Sequence, residues 1–373
     1  VTHEHTAFSR GLSSPICLTW ELTYACNLAC SHCLSSSGRK DPRELSTEEA
    51  KGLIDQFKEM DIFYINIGGG EPTVRSDFKE VVSYALDKGI GVKFSTNGTR
   101  IDQEMARWIA SEAYLDVQVS LDGPREEQND SIRGDGSFKS AIKALESLQR
   151  HGATSYKISS VVTKVSIGHL DELYELSNAL GAQLRLTRLR PSGRASLIWS
   201  QLNLDGEDQR YLYRWLREHP EVLTGDSFFH LNPLGDALEG LNICGAGRVV
   251  CLIDPVGDVY ACPFVIHESF LAGNVRELSF KEIWQTAPTF ETLRQSREPR
   301  TCSTCSALNS CHGGCMAAKF FGGLGFDDPD PNCVFDKATS MAEVKAFPMP
   351  DLSRSRPIYI RPRIMTKAVS SQI

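Results

Sequence analysis

Three cysteines, Cys26, Cys30 and Cys33, stand in the spacing CxxxCxxC. Three thiolates can hold three irons of a cubane cluster, which ordinarily takes four protein ligands. The fourth iron is then open to a ligand, as the open position of a catalytic zinc site is. A zinc knuckle with a distant fourth ligand, or a set of buried thiols, uses the same residues. Downstream runs Gly68-Gly69-Gly70-Glu71-Pro72. Glycines at a strand end let backbone groups approach a ligand closely, and Glu71 with nearby carbonyls could take the amino group of a zwitterion. A plain tight turn, with Pro72 opening the next segment, is the other reading. Residues 34–243 contain no cysteine, and eight then crowd together. They run Cys244-x6-Cys251-x5-Gly257-x4-Cys262 and Cys302-x2-Cys305-x5-Cys311-x3-Cys315-x17-Cys333. Eight thiolates make two complete four-cysteine sites, for iron–sulfur clusters or, by the same arithmetic, for zinc. Cys17 is left over, in an apolar stretch that suits a buried free thiol.

These residues need elements to position them. Apolar and β-branched runs predict strands over 16–23, 62–67, 92–95, 114–121, 157–163 and 184–189. Helical spacing predicts helices over 45–60, 78–89, 101–111, 137–152 and 169–181, the first opened by a capping box of Ser46 and Glu49. Repeated βα units imply a parallel sheet with helices outside, either a partial barrel or a doubly wound sheet. The unusual residues all follow strands: CNLACSHC the first, GGGEPT the second, STNG the third, and SLDG closes the fourth. In parallel α/β folds the site lies at the carboxyl ends of strands. LIDPVGDVYACP (252–263) reads as a hairpin with Cys262 on its return strand. The expected division is a flexible 1–14, a barrel over 15–195, a less readable bridging region over 196–243, a Cys-rich unit over 244–336, and a basic flexible tail over 337–373.

Composition narrows the function classes. The 373 residues, 41% of them hydrophobic, suffice for one large domain or two ordinary ones. A net charge of −7 gives no default expectation of nucleic-acid or anionic-membrane binding. No apolar run approaches a membrane span, and the first residues lack a signal-peptide core, so a cytoplasmic enzyme is expected. In that compartment clustered cysteines read as ligands rather than disulfides.

YACNLACSHC, GGGEP, STNG and SLDG, in that order, resemble the radical S-adenosylmethionine (SAM) superfamily. The resemblance covers roughly 15–195 and implies a partial (β/α)6 TIM barrel whose open iron is chelated by SAM. It implies that Gly69, Gly70 and Glu71 bind the methionine amino group. Ser120 would face the SAM ribose or carboxylate, Arg133 of SIRG would pair with the carboxylate, and Asn97 of STNG would be a further contact. Reductive cleavage of SAM would then give a 5′-deoxyadenosyl radical that abstracts hydrogen from substrate, with the cofactor carrying the hard step. His32 takes a position often aromatic in this family and is expected to pack over the cluster.

The second half resembles the SPASM extension of peptide-modifying members, which has a β-hairpin, short helices and two auxiliary [4Fe–4S] clusters. By that resemblance one cluster uses Cys244, Cys251, Cys262 and Cys315, and the other Cys302, Cys305, Cys311 and Cys333. Pro263 follows Cys262 where sulfatase-maturating members carry an Asp, which speaks against that activity. Across the chain, ICLTWELTYACNLACSHCLSSSG, INIGGGEPT, CLIDPVGDVYACPF and NSCHGGCMAAK resemble the mycofactocin radical SAM maturases. These act on the C-terminal Val-Tyr of a small ribosomal precursor peptide, decarboxylating the Tyr and then bonding it to Val. The resemblance implies a separate small peptide-recognition chaperone, since only about 15 residues precede the first strand, too few for an independent recognition domain. It also implies a one-electron reductant such as a flavodoxin or ferredoxin. Another SPASM enzyme, acting on a different peptide or a tetrapyrrole carboxylate side chain, is the nearest alternative. A non-catalytic zinc scaffold is the remote one.

Overall fold

The computed structural model describes residues 11–225, 228–240, 242–295 and 299–335. The expected tail over 337–373, and residues 1–10 of the expected N-terminal segment, lie outside the described residues. Six parallel strands follow in chain order: β1 Cys17–Thr23, β2 Tyr64–Gly69, β3 Gly91–Thr96, β4 Leu115–Ser120, β5 Tyr156–Val162 and β6 Gln183–Arg188. Their order across the sheet is sequential. Right-handed crossovers in one direction put every helix on the same face, whereas a doubly wound sheet needs a reversal of order. The sheet is therefore of the partial-barrel kind.

Alternation along the strands records which face is which. Leu18, Trp20 and Leu22 of β1 are buried toward the helices, as are Val92 and Phe94 of β3. Lys93 and Ser95, between and beside them, turn to the opposite, polar face. Trp20 packs edge-on against Phe57 of the helix Thr47–Glu59, with ring centroids 5.8 Å apart. Phe57 meets Phe280 of the helix Phe280–Thr286 at 5.6 Å, so the Cys-rich half shares the barrel's core. Full burial of each such side chain contributes about 1.5–3 kcal/mol.

Three features differ from expectation. A helix, Glu126–Arg133, precedes Ser137–Arg150. Only Asn129 and Ile132 of EEQNDSIR are buried, so the segment carries no apolar periodicity to read. Next, β7 Val250–Ile253 pairs parallel with β1, and β8 Asp258–Tyr260 and β9 Leu271–Asn274 follow antiparallel. The nine-stranded sheet thus runs on through residue 244 into the Cys-rich half. Finally, β8 ends at Tyr260, where the β8–β9 register shifts, so Cys262 lies beyond the return strand rather than on it. A register irregularity bends a strand and re-aims the residues beyond it.

The bridging region holds the helices Trp199–Leu202 and Gly206–Glu218. Leu223 lies along the outer edge of β6, exchanging backbone hydrogen bonds with Leu184 and Leu186. That pairing covers an otherwise open sheet edge. Among the described residues no helix is long and apolar enough to cross a membrane.

Candidate active site and cluster-binding cysteines

Cys26, Cys30 and Cys33 lie on the loop that leaves the carboxyl end of β1. The loop is tied down on three sides. Cys26 N–H donates to Gly38 O at 3.0 Å, and Ser31 N–H to Ile132 O at 2.8 Å. Arg194 Nε donates to Cys30 O at 2.8 Å and its Nη1 to Ser37 O at 2.9 Å. Gly193 (φ 57°) packs so close that a Cβ would stand 2.2 Å from Leu34 O, so only glycine fits. The three thiols are electrostatic neighbours of one another. Burial pushes Cys26 up to about 12, with Cys30, the Glu71 carboxylate and Cys33 adding to it against the Leu28 N–H. Burial raises Cys30 as well. Thiols that ionise only at such a cost suit a cation, whose binding displaces their protons.

The glycine turn after β2 serves this loop first. Gly70 N–H donates to Thr23 O at 2.7 Å and Glu71 N–H to Ala25 O at 2.8 Å. A Cβ on Gly70 would lie 2.0 Å from Ala25 O. The Glu71 carboxylate is buried and accepts from Thr73 Oγ1 (2.5 Å), Thr96 Oγ1 (2.8 Å) and Asn97 N–H (2.6 Å). Burial raises its pKa against these donors. Its side chain thus holds the STNG segment. The Asn97 side chain is likewise engaged, donating from Nδ2 to Asn27 Oδ1 (2.9 Å) and accepting at Oδ1 from Thr99 Oγ1 (2.7 Å). Ser120 ends β4 opposite Ser159, half-buried at the carboxyl edge.

Sequence reasoning missed the group behind the cluster loop. Asp122, of SLDG, is fully buried. Its Oδ2 lies 2.8 Å from His32 Nε2 and 2.7 Å from Arg133 Nε, and its Oδ1 accepts from Val161 N–H at 2.8 Å. Burial would raise this carboxyl, but Arg133 and His32 hold it well below the usual carboxylate range. Arg133 therefore has a protein partner in Asp122, and the guanidinium's other donors are what a second carboxylate could meet. His32 Nδ1, beside Cys33 in the chain, is buried with no partner among the described residues. An orphaned polar atom there fits a loop shaped around a group with acceptor sulfurs.

Four cysteines of the second half, Cys302, Cys305, Cys311 and Cys333, line one pocket with His230 and Gly314. Burial raises Cys302 and Cys311. Cys244 and Cys315 are electrostatic neighbours. Cys262 is buried in the loop after β8, where the neighbouring Ala261 O accepts from Gly247 N–H at 2.8 Å and so ties that loop to the one after Cys244. Cys251 departs from the set expected of it. It pairs with Leu18, so it shares the apolar, helix-facing side of β7 with Ile253 and is fully buried there. Its electrostatic neighbours are Cys17 and Arg294. Strand parity is the reason: Leu252 and Tyr260 are cross-strand partners on the opposite face. Cys17 is half-buried rather than buried, and its sulfur accepts from Asn66 Nδ2 at 3.3 Å.

The profile of the radical SAM superfamily matches residues 20–177, and that of the SPASM iron–sulfur cluster-binding domain residues 244–306. The chain is 56% identical over 354 residues to mycofactocin maturase MftC of Mycolicibacterium smegmatis, covering 94% of this chain and 90% of that protein. Identity to the namesake from Mycobacterium ulcerans is also 56%, over 94% and 96% of the two chains. The AdoMet-dependent heme synthase of Oleidesulfovibrio alaskensis is 30% identical, over 86% and 88%. Among solved structures, Streptococcus suis SuiB bound to S-adenosylmethionine superposes with a TM-score of 0.71 at 21% identity, covering 84% of this chain and 75% of that one. Native anSMEcpe with bound AdoMet gives 0.67 at 19%, covering 88% and 96%. Both share the fold. The two domains bring SAM and iron–sulfur clusters as cofactors, and the donor sets above fit them. Alike to the maturases over nearly its whole length, the chain belongs to the mycofactocin maturase family of radical SAM enzymes with a SPASM extension.

Proposed function

We propose that this chain oxidatively decarboxylates the C-terminal Tyr of a small ribosomal precursor peptide, then joins the modified Tyr to the penultimate Val through a carbon–carbon bond. The observation that carries the reading is the 56% identity to mycofactocin maturases over 94% of the chain. The heme synthase relatives stand much further off, at 30%.

Cys26, Cys30 and Cys33 would hold the SAM-cleaving cluster. Cys302, Cys305, Cys311 and Cys333 would hold one auxiliary cluster, and Cys244, Cys262 and Cys315 the other. Bound there, the clusters and SAM supply a 5′-deoxyadenosyl radical and a store for electrons. The chain's own residues do the positioning. Glu71 fixes STNG against the cluster loop, and Asp122 holds His32 and Arg133 behind it. Gly69, Gly70 and Glu71, with Asn97, Ser120 and Arg133, would make the contacts to SAM. The partners in this reading are the precursor peptide, a separate small chaperone that presents it, and a one-electron reductant such as a flavodoxin or ferredoxin. The compartment is the cytoplasm.

The test is anaerobic turnover of the reconstituted chain with SAM, dithionite, the chaperone and a precursor peptide ending in Val-Tyr. Mass spectrometry should show the peptide lose carbon dioxide plus a pair of hydrogen atoms, with 5′-deoxyadenosine formed. Abundant deoxyadenosine beside an unchanged peptide would overturn the substrate. Turnover of an iron tetrapyrrole carboxylate in its place would establish the heme synthase type.

A further inference from the structure

The segment that leaves β6 carries three arginines, and each meets the binding segment of a different set of cysteines. Arg188 forms a buried two-point ion pair with Asp330 (2.9 and 2.5 Å) and donates to Asn332 Oδ1 at 2.8 Å, beside Cys333. Arg194 donates to the carbonyls of Cys30 and Ser37 in the SAM-cluster loop. Both act on backbone or on carboxylate and amide neighbours. Arg190 differs, because its Nε donates directly to a ligand sulfur, Cys315 Sγ, at 3.4 Å. Its guanidinium lies 3.7 Å over the ring of Phe264, two residues after Cys262. Its Nη1 donates to Arg188 O at 3.3 Å, and the residue is only 4% exposed. The group is thus braced from below by an aromatic face and from behind by a carbonyl, with its Nε–H aimed at the Cys315 sulfur.

We propose that Arg190 is a positioning residue that sets the reduction potential of the auxiliary cluster bound by Cys244, Cys262 and Cys315. The inference rests on the cluster assignment under Proposed function. Adding an electron makes a cluster more negative. A fixed cation that donates to a ligand sulfur stabilises that reduced form and raises the potential. Burial strengthens the effect, since little water screens the charge. Partners of a ligand that are not ligands themselves tune a metal site in this way. Arg190 and Arg194 lie on the one loop that leaves β6, so that loop both ties down the three-cysteine segment and would adjust an electron acceptor.

The test is an anaerobic EPR-monitored redox titration of the reconstituted holoenzyme. Arg190→Gln should move one auxiliary cluster to a more negative midpoint potential, leaving the other two clusters and the iron content unchanged. Arg190→Lys should recover part of the shift. Phe264→Leu, which removes the supporting ring and no ligand, should shift the same cluster in the same direction by less. Arg194→Gln should leave that cluster's potential in place. Unaltered potentials in both Arg190→Gln and Phe264→Leu at full iron content would overturn the proposal. Cys315→Ala separates the two layers of inference: it should cost one whole cluster. Full iron content there would instead remove the ligand assignment on which Arg190 rests.

Discussion

Cys251 and Asp122 show what single residues can and cannot announce. Cys251 sits among ligand-like spacings, yet its pairing with Leu18 turns it into the apolar layer. Cys251→Ser should therefore keep the wild-type iron content, whereas Cys244→Ala or Cys315→Ala should lose a cluster by iron assay and Mössbauer spectroscopy. Loss of iron from Cys251→Ser would restore it to the ligand set. Replacing Cys26, Cys30 and Cys33 with Ala should abolish 5′-deoxyadenosine formation; retained cleavage would remove that loop from the reaction. Asp122 meets the buried Arg133 guanidinium and the buried His32 ring. Breaking such a buried pair costs on the order of 3–5 kcal/mol. Asp122→Asn should lower stability by about that much in denaturant titrations of the holoenzyme. A change under about 1 kcal/mol, the size of an exposed pair, would make the contact incidental. The three-cysteine loop was legible from spacing because one short loop holds all of it. The Asp122 group was not, because its members come from the cluster loop, the end of β4 and a separate polar helix.

Among the elements, the expected strands were readable because β-branched runs alternate with capped amphipathic helices. The helix Glu126–Arg133 was hidden by its polarity, although it supplies Arg133 and the Ile132 carbonyl that anchors Ser31. The capping box at Ser46 and Glu49 forms as read, with Ser46 N–H donating to Glu49 Oε2 at 2.8 Å. The sequence could not reveal its second use. Arg276, from the segment after β9, donates to both oxygens of Glu49. Arg276, followed by the Ser46 N–H, holds the Glu49 carboxyl down at about 2, against 4.5 unperturbed. A depressed carboxyl stabilises the fold fully above its unfolded value. That stabilisation fades as pH falls from about 4.5 toward 2. Glu49→Gln should cost about 1 kcal/mol at pH 7, the scale of a lost cap or half-exposed ion pair. The deficit should disappear in melts near pH 2. A deficit independent of pH would assign the effect to packing instead.

For the whole molecule, the cysteine-free middle suggested a barrel followed by a separate Cys-rich unit, while the structure runs one sheet through both. β7 occupies the edge of β1, and Phe280 completes the aromatic stack on Phe57. Long-range pairing of this kind leaves no local trace in a sequence, since β1 and β7 are separated by the entire barrel. A chain ending at residue 243 would expose the edge of β1 and the face of Phe57. Exposed edges of this sort recruit other chains, so the truncated protein should aggregate when expressed and sized by light scattering. A soluble, folded barrel would show that the extension is an appendage. The chemistry itself is read most directly through the hydrogen that is removed, which in the proposed decarboxylation is one on the β-carbon of the terminal Tyr, next to the carbon that loses carbon dioxide. The precursor peptide would carry deuterium on the β-carbon of its terminal Tyr, and the 5′-deoxyadenosine from anaerobic turnover would be weighed by mass spectrometry. Deuterium in the nucleoside, appearing together with decarboxylated peptide, is the expected result; decarboxylated peptide with unlabelled nucleoside would contradict abstraction at that carbon.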